Sequence, residues 1–533
     1  MDVWSLLCRR ARSTSGDFLI WHPFEGEIRT WDYPTFTRDA ASIGAGLRNR
    51  GVQAGDRIII HLENCPEFLI AWFACASIGA VAVTTNVRSA PDELSYYAED
   101  CAAVGAITQP KYLEMMGSAA PRLKWLVCID EDPGASESSF NRVGKDLSFD
   151  GLRGDPDTLA LRPPDPTALM NIQYTSGTTS RPKGVLWTHA NALWAASVNA
   201  SHEHLGSDDC HLTYMPLFHA NALAYSVLPT IWVGGRTVLL HKWSTSRFWD
   251  ISLDHRCTWA SLMGLSARAV LDLETPKKHT YRCFGSLACD PRLESHIGTK
   301  VIGWWGMTET VSHGILGDYW SANRPRSVGR PAPEYGIRVV QDNGLTLTEF
   351  EEAGELLIKG VPGLSMFAGY LNKDATTAES YDERGWFRTG DLVKVHSDGN
   401  ISFADRAKDM LRVGGENVAA SEIERVVLEV SGVREAVAVA RPDVKLDEVP
   451  VVFVIGSVVD DGLRERIIDA CASKLADFKI PRQVEIVGAL PRSTIGKVNK
   501  AVLREVLLSG ASVSQSEEFW LEAAAIDPSG DAS

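Results

Sequence analysis

Positive charge is in short supply in this sequence. Lysine and arginine together number 53, against 68 aspartates and glutamates, so the formal net charge is −15. A protein that binds nucleic acid through its phosphates needs a basic surface, and this balance argues against such a protein. We therefore expect no nucleic-acid partner, and we attribute the acidic excess itself to solubility.

Paired cysteines are also missing. The ten cysteines include no CxxC pair, and the chain shows no internal repeats or heptads. This spacing argues against a zinc site and against a dithiol redox motif. Free thiols are typical of a reducing compartment, so we expect a cytoplasmic location.

A membrane-spanning run is lacking as well. The long uncharged run Phe68–Val83 has 16 residues, whereas a membrane helix needs about 20. We therefore predict a buried helix followed by a buried strand there, and no stable membrane insertion. Residues 1–16 carry three arginines without a long apolar core. That pattern favours an ordinary first helix, with a transit peptide as the alternative.

Helix-like and strand-like segments alternate through residues 1–330. Such alternation is typical of a parallel sheet covered by helices on both faces. From about residue 336 the pattern becomes strand-rich, and beyond residue 410 it returns to a compact mixture of helix and strand. We predict an α/β fold with a large N-terminal domain of layered, helix-covered sheets, a β-rich subdomain, and a small mobile α+β C-terminal domain.

The run from Tyr174 to Val185, YTSGTTSRPKGV, is the most informative stretch. Five hydroxyl side chains lie between Thr175 and Ser180, with one glycine among them and Lys183 close behind. Apolar residues on both sides predict a strand, a loop and a second strand. Backbone N–H groups, hydroxyls and an ammonium that converge in one loop are suited to binding phosphate oxygens.

This loop is not a Walker A motif. That motif needs Gly-Lys followed by Ser or Thr, whereas here the order is Lys183-Gly184-Val185. Composition alone would also fit a Ser/Thr-rich surface turn. The complete pattern TSGTTSRPKG is far more specific, and it resembles the phosphate loop of the adenylate-forming superfamily. That superfamily includes acyl-CoA synthetases, luciferases and the adenylation domains of peptide synthetases.

Further motifs follow in the order expected of that superfamily. They are MPLFH (215–219), GWWGMTET (303–310), WFRTGD (386–391), DRAKDMLRVGGEN (405–417) and LPRSTIGKVNK (490–500). Alone, each is weak, because a single histidine, a Thr-Gly-Asp turn or a single lysine is usually structural or solvated. Together they resemble the superfamily over roughly Val3 to Leu508.

The resemblance implies how ATP is bound. The implied cofactor-binding residues are Thr175, Ser176, Gly177, Thr178, Thr179, Lys183, Trp305, Gly306, Met307, Asp391, Arg406, Gly414 and Gly415. Residues of the 175–183 loop would hold phosphates, and Trp305 would stack on adenine. Asp391 would accept both ribose hydroxyls, since a carboxylate has two acceptor oxygens. Thr308 would reach a phosphate, and Glu309 would bind Mg²⁺, which prefers oxygen ligands.

The resemblance also implies two half-reactions. Lys497, with Thr308 and Glu309, would catalyse adenylation of a carboxylate, and Gly414-Gly415 would let the pantetheine arm of coenzyme A pass. Lys408 would be the hinge about which the small domain rotates. The implied domains are an AMP-binding domain (1–405), a hinge (406–409), a C-terminal lid domain (410–509) and a flexible tail (510–533). ATP, Mg²⁺ and coenzyme A are the implied cofactors.

The implied acid pocket contains His219, Gly303 and Trp304. His219 stands where enzymes that activate α-amino acids usually carry Asp, and Gly306 stands where acetyl-CoA synthetases place Trp. The implied substrate is therefore a carboxylic acid that is larger than acetate and is not an amino acid. Trp304 either lines the pocket or fills the core. The motifs look most like those of carnitine/crotonobetaine-CoA ligases, which show Ser-Tyr at Trp304-Trp305.

Two alternatives to a CoA ligase stay open. One is a stand-alone adenylation enzyme that loads a carrier protein, and the other is a non-catalytic nucleotide-binding homologue. A third hypothesis concerns the acid, because the aromatic faces of Trp304 and other tryptophans could attract a cationic substrate. The sequence leaves the oligomeric state open, with a homodimer among the alternatives.

Overall fold

The computed structural model describes residues 1–89, 91–133, 146–159, 162–175, 182–263, 265–341, 350–406, 410–413, 416–444, 446–456, 462–475, 477–492 and 498–509. These residues form two compact units. The first comprises Met1–Arg338, Leu357–Arg388 and His396–Ser402. The second comprises Val339–Leu356, Thr389–Val395 and the described residues from Phe403 onward.

Strands occur throughout the described residues. Up to residue 188 they are β1 (Asp17–His22), β2 (Arg29–Asp32), β3 (Arg57–His61), β4 (Val81–Thr84), β5 (Gly105–Thr108), β6 (Trp125–Cys128), β7 (Asp146–Ser148), β8 (Leu169–Thr175) and β9 (Lys183–Thr188). Up to residue 331 they are β10 (Cys210–Thr213), β11 (Arg236–Leu240), β12 (Trp259–Leu262), β13 (Cys283–Ser286), β14 (Lys300–Trp305), β15 (Ile315–Leu316) and β16 (Arg330–Pro331).

The remaining strands belong to the later part of the chain. They are β17 (Gly336–Val340), β18 (Ala353–Lys359), β19 (Gly369–Tyr370), β20 (Phe387–Val395), β21 (Ile401–Arg406), β22 (Met410–Val413), β23 (Glu416–Ala419), β24 (Val433–Asp443), β25 (Asp447–Gly456) and β26 (Gln483–Ile486).

Helices alternate with these strands. They are α1 (Val3–Ser13), α2 (Tyr33–Asn49), α3 (Pro66–Ile78), α4 (Pro91–Asp100), α5 (Leu113–Ala119), α6 (His189–His202), α7 (Ala220–Ala222), α8 (Leu228–Val233), α9 (Phe248–Asp254), α10 (Leu265–Leu271), α11 (Pro291–Ile297), α12 (Asp374–Glu379), α13 (Ala420–Leu428), α14 (Leu463–Lys474) and α15 (Lys500–Ser509). Short 3₁₀ turns join some of them, among them Thr308–Thr310.

The uncharged run of the sequence forms α3 and β4, as predicted. Pro66 lies in the first turn of α3, where its missing N–H does least harm. Gly79 ends the helix in the left-handed region, with φ of +77°. Every residue of α3 except Glu67 is buried, so the helix is apolar all round because it lies in a core. Among the described residues, no helix is both long and apolar enough to cross a membrane.

Two large sheets carry the first part of the chain. One has the strand order β16-β15-β14-β13-β12-β10-β11-β1-β2, and its central strands from β14 to β1 are parallel. The other has the order β19-β9-β8-β4-β3-β5-β6-β7 and is parallel from β8 to β7. The predicted parallel, helix-covered sheets are therefore confirmed. The β8–β9 pair is antiparallel, so the second sheet changes direction at the hydroxyl-rich loop.

The strand-rich region predicted from residue 336 onward is also confirmed, since β17, β18, β20 and β21 pair in that order. Beyond it, a separate sheet has the order β23-β22-β25-β24, with β26 beside β25. Alternate residues of β25 enter two different cores. Val452 and Val454 pack with α13 and α14, whereas Val451 and Phe453 pack with Leu503 of α15. This alternation is expected of a strand buried on both faces.

Candidate active site

The candidate site begins at the two strands that flank the hydroxyl-rich loop. Thr175, the last residue of β8, lies directly opposite Lys183, the first residue of β9. The predicted strands on either side of the loop are therefore confirmed, and the two ends of the loop are adjacent. Ser176, Gly177, Thr178 and Thr179 lie outside the described residues.

The ammonium group of Lys183 lies over an aromatic ring. Its Nζ is 4.7 Å from the ring centroid of Tyr370. Tyr370 belongs to β19, which pairs antiparallel with β9 and places Tyr370 opposite Val185. A cation over the face of a tyrosine ring is attracted by the ring quadrupole. The contact therefore helps to hold the ammonium at the end of the loop.

The hydroxyl of the same tyrosine contacts Glu309. Tyr370 Oη donates a hydrogen bond of 2.9 Å to Oε1 of Glu309, and both residues are only 5% exposed. Burial, reinforced by the charge of Glu309, raises the pKa of Tyr370. The phenol is therefore protonated at neutral pH and can donate. We refer to Lys183, Tyr370 and Glu309 as the Tyr370 bridge.

The main chain around Glu309 is tied to its neighbours on both sides. Trp187 Nε1 donates to the carbonyl of Thr308 at 2.8 Å, and the N–H of Phe367 donates to the carbonyl of Glu309 at 2.8 Å. The turn ends at Val311, whose φ of +52° lies in the left-handed region. That conformation is unfavourable for a β-branched residue, and such strain concentrates at functional sites.

The strand that leads into this turn is closely packed. A Cβ atom added to Gly306 would lie 2.4 Å from Tyr225 Oη and 2.8 Å from the carbonyl oxygen of Ser312. No side chain fits there, so glycine is required for close approach. Met307 donates its N–H to Thr310 Oγ1 at 3.0 Å, which helps to shape the turn.

Two other predicted residues of β14, Gly303 and Trp305, are buried. Gly303 donates its N–H to Cys289 Sγ at 3.1 Å. Trp305 is 7% exposed, and its carbonyl accepts the N–H of Gly314 at 2.9 Å. Both residues are therefore largely enclosed by protein, and Trp305 lies three residues before the start of the Thr308–Thr310 turn.

Trp304 lies in a buried stack of rings. Its ring is nearly parallel to that of His313, at 4.5 Å, and to that of Trp259, at 6.0 Å. A Cβ atom on Gly285 would lie 1.7 Å from the Trp304 ring, so glycine makes room for the indole. The other predicted acid-pocket residue, His219, is half-buried and lies beside Phe218 at 4.6 Å.

The second unit carries two of the predicted nucleotide contacts. Asp391 is buried in β20, and its N–H donates to Thr389 Oγ1 at 3.1 Å. The same hydroxyl donates to the carbonyl of Leu356 at 2.6 Å, so the strand around Asp391 is held locally. Arg406 is the last residue of β21. Lys408, Gly414, Gly415 and Lys497 lie outside the described residues.

Sequence reasoning missed several residues of this region. Tyr370 was not predicted, although a Gly-Tyr dipeptide after an apolar run is present at 369–370. Its contact with Glu309 depends on the pairing of β19 with β9, which joins residues far apart in the chain. Tyr225 and His313 were also missed, because a buried aromatic residue has no sequence signal that separates a pocket from a core.

A magnesium ion was predicted at Glu309. Among the described residues, no group of three or more His, Cys, Asp or Glu side chains could hold a metal ion. A single buried carboxylate nevertheless fits Mg²⁺ in this setting, since that ion usually takes one or two carboxylates, substrate phosphates and several waters. The fit depends on Glu309 being held by Tyr370 rather than on a closed cage of ligands.

Comparison with known proteins identifies the family. The profile of the AMP-binding enzymes matches residues 9–371. The profile of the AMP-binding enzyme C-terminal domain matches residues 422–497. The chain belongs to the AMP-binding enzyme family. The resemblance to the adenylate-forming superfamily is thereby confirmed.

Relatives place the chain in the acyl-CoA synthetase branch of this family. The crotonobetaine/carnitine–CoA ligase of Salmonella paratyphi B is 30% identical over 505 residues, which cover 91% of this chain and 95% of the relative. The ligase of the same name from Citrobacter koseri is 30% identical over 506 residues with the same coverage. The chain is accordingly an AMP-forming acyl-CoA synthetase, with ATP and coenzyme A as substrates.

Solved structures agree with this assignment of the fold. The o-succinylbenzoate coenzyme A synthetase of Bacillus subtilis, in complex with ATP and magnesium ion, has a TM-score of 0.79 at 25% identity and covers 95% of this chain and 99% of its own. An anthranilate CoA ligase in complex with anthranoyl-AMP has a TM-score of 0.84 at 24% identity and covers 96% and 98%. The predicted fold class, an α/β fold with a large N-terminal domain and a small C-terminal domain, is therefore confirmed.

Proposed function

We propose that this enzyme activates a carboxylic acid that is larger than acetate and is not an α-amino acid. It converts the acid with ATP to an acyl-adenylate and transfers the acyl group to coenzyme A. The Tyr370 bridge carries the proposal. In it, the ammonium group of Lys183 contacts the ring of Tyr370, and the buried carboxylate of Glu309 accepts a hydrogen bond from the hydroxyl of the same tyrosine.

In the first half-reaction a carboxylate oxygen attacks the α-phosphorus of ATP. The new O–P bond forms as the bond to the β-phosphate oxygen breaks, and pyrophosphate leaves. Both reactants are anionic, so fixed positive charge lowers the barrier. Lys183 supplies such charge at the loop, and Lys497 is proposed to supply a second ammonium. The hydroxyls of 175–179 are proposed to hold the β- and γ-phosphates.

Magnesium is proposed to bind at Glu309. When bound, the ion offsets the charge of the phosphate oxygens. Tyr370 orients the Glu309 carboxylate through the 2.9 Å hydrogen bond, and the tied carbonyls of Thr308 and Glu309 fix the turn that carries it. The protein thus contributes a pre-set carboxylate rather than a preformed cage.

In the second half-reaction the thiolate of coenzyme A attacks the acyl carbonyl. The C–S bond forms, the bond to the phosphate oxygen breaks, and AMP leaves as an anion. We propose that rotation about Lys408 withdraws Lys497 and brings Gly414-Gly415 to the pantetheine path. The proposed boundaries remain 1–405, 406–409 and 410–509. Asp391 and Arg406 are proposed to bind ribose, and Trp305 with Gly306 and Met307 to border adenine.

The acid is inferred from two positions. His219 replaces the Asp that would hold an α-ammonium group, and this disfavours amino acids. Gly306 leaves out the Trp that shortens the pocket of acetyl-CoA synthetases. Tyr225 Oη stands close to the space that a side chain at Gly306 would enter. We infer that Tyr225 borders the acid pocket together with Gly303 and Trp304.

The test is product analysis with a panel of carboxylic acids. We expect acid-dependent formation of AMP, pyrophosphate and acyl-CoA with free coenzyme A. Acyl-adenylate without thioester, relieved only by a carrier protein, would favour the carrier-loading alternative. Nucleotide binding without any turnover would favour the non-catalytic alternative. The ten free thiols favour a reducing, cytoplasmic setting, and size-exclusion chromatography with light scattering would test the homodimer.

A further inference from the structure

One asparagine side chain joins the carboxyl ends of strands from both large sheets. Asn64 follows β3 and is 3% exposed. Its Nδ2 donates to the backbone carbonyls of Tyr214 at 3.2 Å, Met215 at 3.0 Å and Leu240 at 3.1 Å. Its Oδ1 accepts the N–H of Leu217 at 2.8 Å. We refer to these five residues as the Asn64 clamp. It connects the end of β3, in one sheet, to the ends of β10 and β11, in the other.

The clamp supplies hydrogen bonds to a segment that has no regular structure. Residues 214–219, all of which the structure describes, belong to no strand, and the following helix begins at Ala220. Leu217 is 0% exposed. Buried backbone groups outside helices and sheets need partners from elsewhere, and Asn64 is such a partner for three of them. The conformation of this segment therefore depends on one side chain.

The amide group of asparagine matches these surroundings. An amide combines an acceptor oxygen with two N–H donors. Here the oxygen faces a backbone N–H and the nitrogen faces three carbonyls. An aspartate would keep the acceptor and lose the donors, and a leucine of similar size would offer neither. The contacts therefore require asparagine among side chains of this size.

The segment leads directly to a proposed acid-pocket residue. Met215 and Leu217 lie on either side of Pro216, whose carbonyl accepts the N–H of His219 at 3.0 Å. The clamp holds the main chain at 215 and 217, and this turn holds His219 relative to them. Ligands of open α/β sheets bind at the carboxyl ends of the strands. The clamp lies at the same edge of its sheet as Thr175, because β3, β4 and β8 are parallel.

We propose that Asn64 is a positioning residue for the carboxylic acid, which holds residues 215–217 so that His219 is in place before the acid binds. The inference rests on the proposed function, since His219 is assigned to the acid pocket there. Without the clamp the segment would adopt several arrangements, of which only a fraction bind the acid. The apparent affinity for the acid falls by that fraction. The affinity for ATP, which is assigned to other residues, should not change.

The variant Asn64→Ala tests the residue. We expect the KM for the acid to rise about 10-fold, which corresponds to a binding-competent segment for about one tenth of the time. Saturating acid selects that arrangement, so kcat and the KM for ATP should change by less than about 3-fold. The assay is acid-dependent release of pyrophosphate. An unchanged KM for the acid, or an equal deterioration of kcat and both KM values, would overturn the inference.

The variant Thr258→Val is the matched control, because it removes a side-chain contact from the opposite end of β10. The Thr258 hydroxyl accepts the N–H of Cys210 at 3.0 Å and donates to Asp209 Oδ1 at 2.7 Å. The substitution should lower the midpoint of thermal unfolding and leave the KM for the acid within about 2-fold of the wild-type value. A rise as large as that of Asn64→Ala would show that any loosening of β10 has this effect, and would overturn the specific role of Asn64.

A double-mutant cycle tests the route through His219. If Asn64 acts by placing His219, Asn64→Ala should raise the KM for the acid by less than about 3-fold when His219 is already alanine. Effects that multiply in full would mean that the two residues act independently, and would overturn the proposed route. The cycle also separates positioning from a general loss of stability, which would affect both backgrounds alike.

The wild-type enzyme provides a test that does not depend on the folding of a variant. Hydrogen exchange of the amides of 214–219, measured without acid, should be at least about 100-fold slower than that of the exposed residues 25–28, because the segment is already held. Equally fast exchange would overturn the inference. If no acid in the panel gives acid-dependent AMP, the proposed function itself fails. If the wild-type enzyme forms acyl-CoA and Asn64→Ala has an unchanged KM for the acid, only the inference fails.

Discussion

Tyr370 can be changed so that only its hydrogen bond to Glu309 is lost. The variant Tyr370→Phe keeps the aromatic ring under Lys183 Nζ, now 4.7 Å from the ring centroid, and removes the Oη that donates to Glu309 at 2.9 Å. The cation–ring contact and the packing against Phe367, at 4.8 Å, should therefore persist. Any loss of activity reports on the orientation of the Glu309 carboxylate.

The size of the effect follows from the type of bond. A hydrogen bond to a charged group typically contributes about 1.5–3 kcal/mol. Most of this stabilisation is lost when the donor is removed, because the buried acceptor is then left without a partner. Since about 1.4 kcal/mol corresponds to a factor of ten, we expect kcat/KM for adenylation to fall about 10- to 150-fold. If Glu309 binds Mg²⁺, the magnesium concentration for half-maximal rate should rise as well.

The assay is acid-dependent release of pyrophosphate, measured over a range of magnesium concentrations, with thermal unfolding as a check of the fold. Tyr381→Phe is the matched control. Its ring also packs against Phe367 and Phe387, and its Oη has no hydrogen-bond partner among the described residues. An unchanged magnesium dependence and rate in Tyr370→Phe, or an equal loss in Tyr381→Phe, would refute the orienting role of Tyr370.

Three further predictions concern the lid, the core and pH. Lys497→Ala should abolish adenylation but spare thioester formation from a supplied acyl-adenylate, because the two half-reactions are proposed to use different faces of the small domain. Gly285→Ala should lower the free energy of unfolding by about 3 kcal/mol, measured by denaturant titration, because the added Cβ overlaps the Trp304 ring. Burial lowers the pKa of His61 to about 3 and that of His211 to about 4. Both stay neutral when folded, so stability is fully present above about pH 6.5 and falls below it by about 1.4 kcal/mol per group for each pH unit.

A control, a contrary result or both accompany each of these predictions. Lys474→Ala removes a half-exposed lysine paired with Glu429 and should spare both half-reactions; loss of both in a folded Lys497→Ala variant would contradict the assignment. Gly117→Ala, whose Cβ meets only ordinary contact at 3.8 Å, should not destabilise the protein. A free energy of unfolding that is flat from pH 7 to 5.5 would contradict the histidine prediction.

Regular elements with a strong pattern were predictable from sequence. The alternation predicted for residues 1–330 is seen, for example, where the helix Tyr33–Asn49 is followed by the strand Arg57–His61. The apolar run 68–83 became a buried helix and strand because it is too short to span a membrane and ends at a glycine. The hydroxyl-rich loop was identified by its own composition, since phosphate binding needs donors that are close in sequence.

Contacts between distant residues were not predictable. The Ser421 hydroxyl, in the first turn of α13, donates to the carbonyl of Ala404, which lies 17 positions earlier in the chain. The interaction between Tyr370 and Glu309 depends on the pairing of two strands that the sequence does not connect.

The most direct test of the central claim is ATP–pyrophosphate exchange in the presence of a carboxylic acid and the absence of coenzyme A. If the carboxylate attacks the α-phosphorus, labelled pyrophosphate will enter ATP only when the acid is present, and addition of coenzyme A will then yield AMP and acyl-CoA. Acyl-CoA formed without any exchange and accompanied by ADP and phosphate would contradict the acyl-adenylate route.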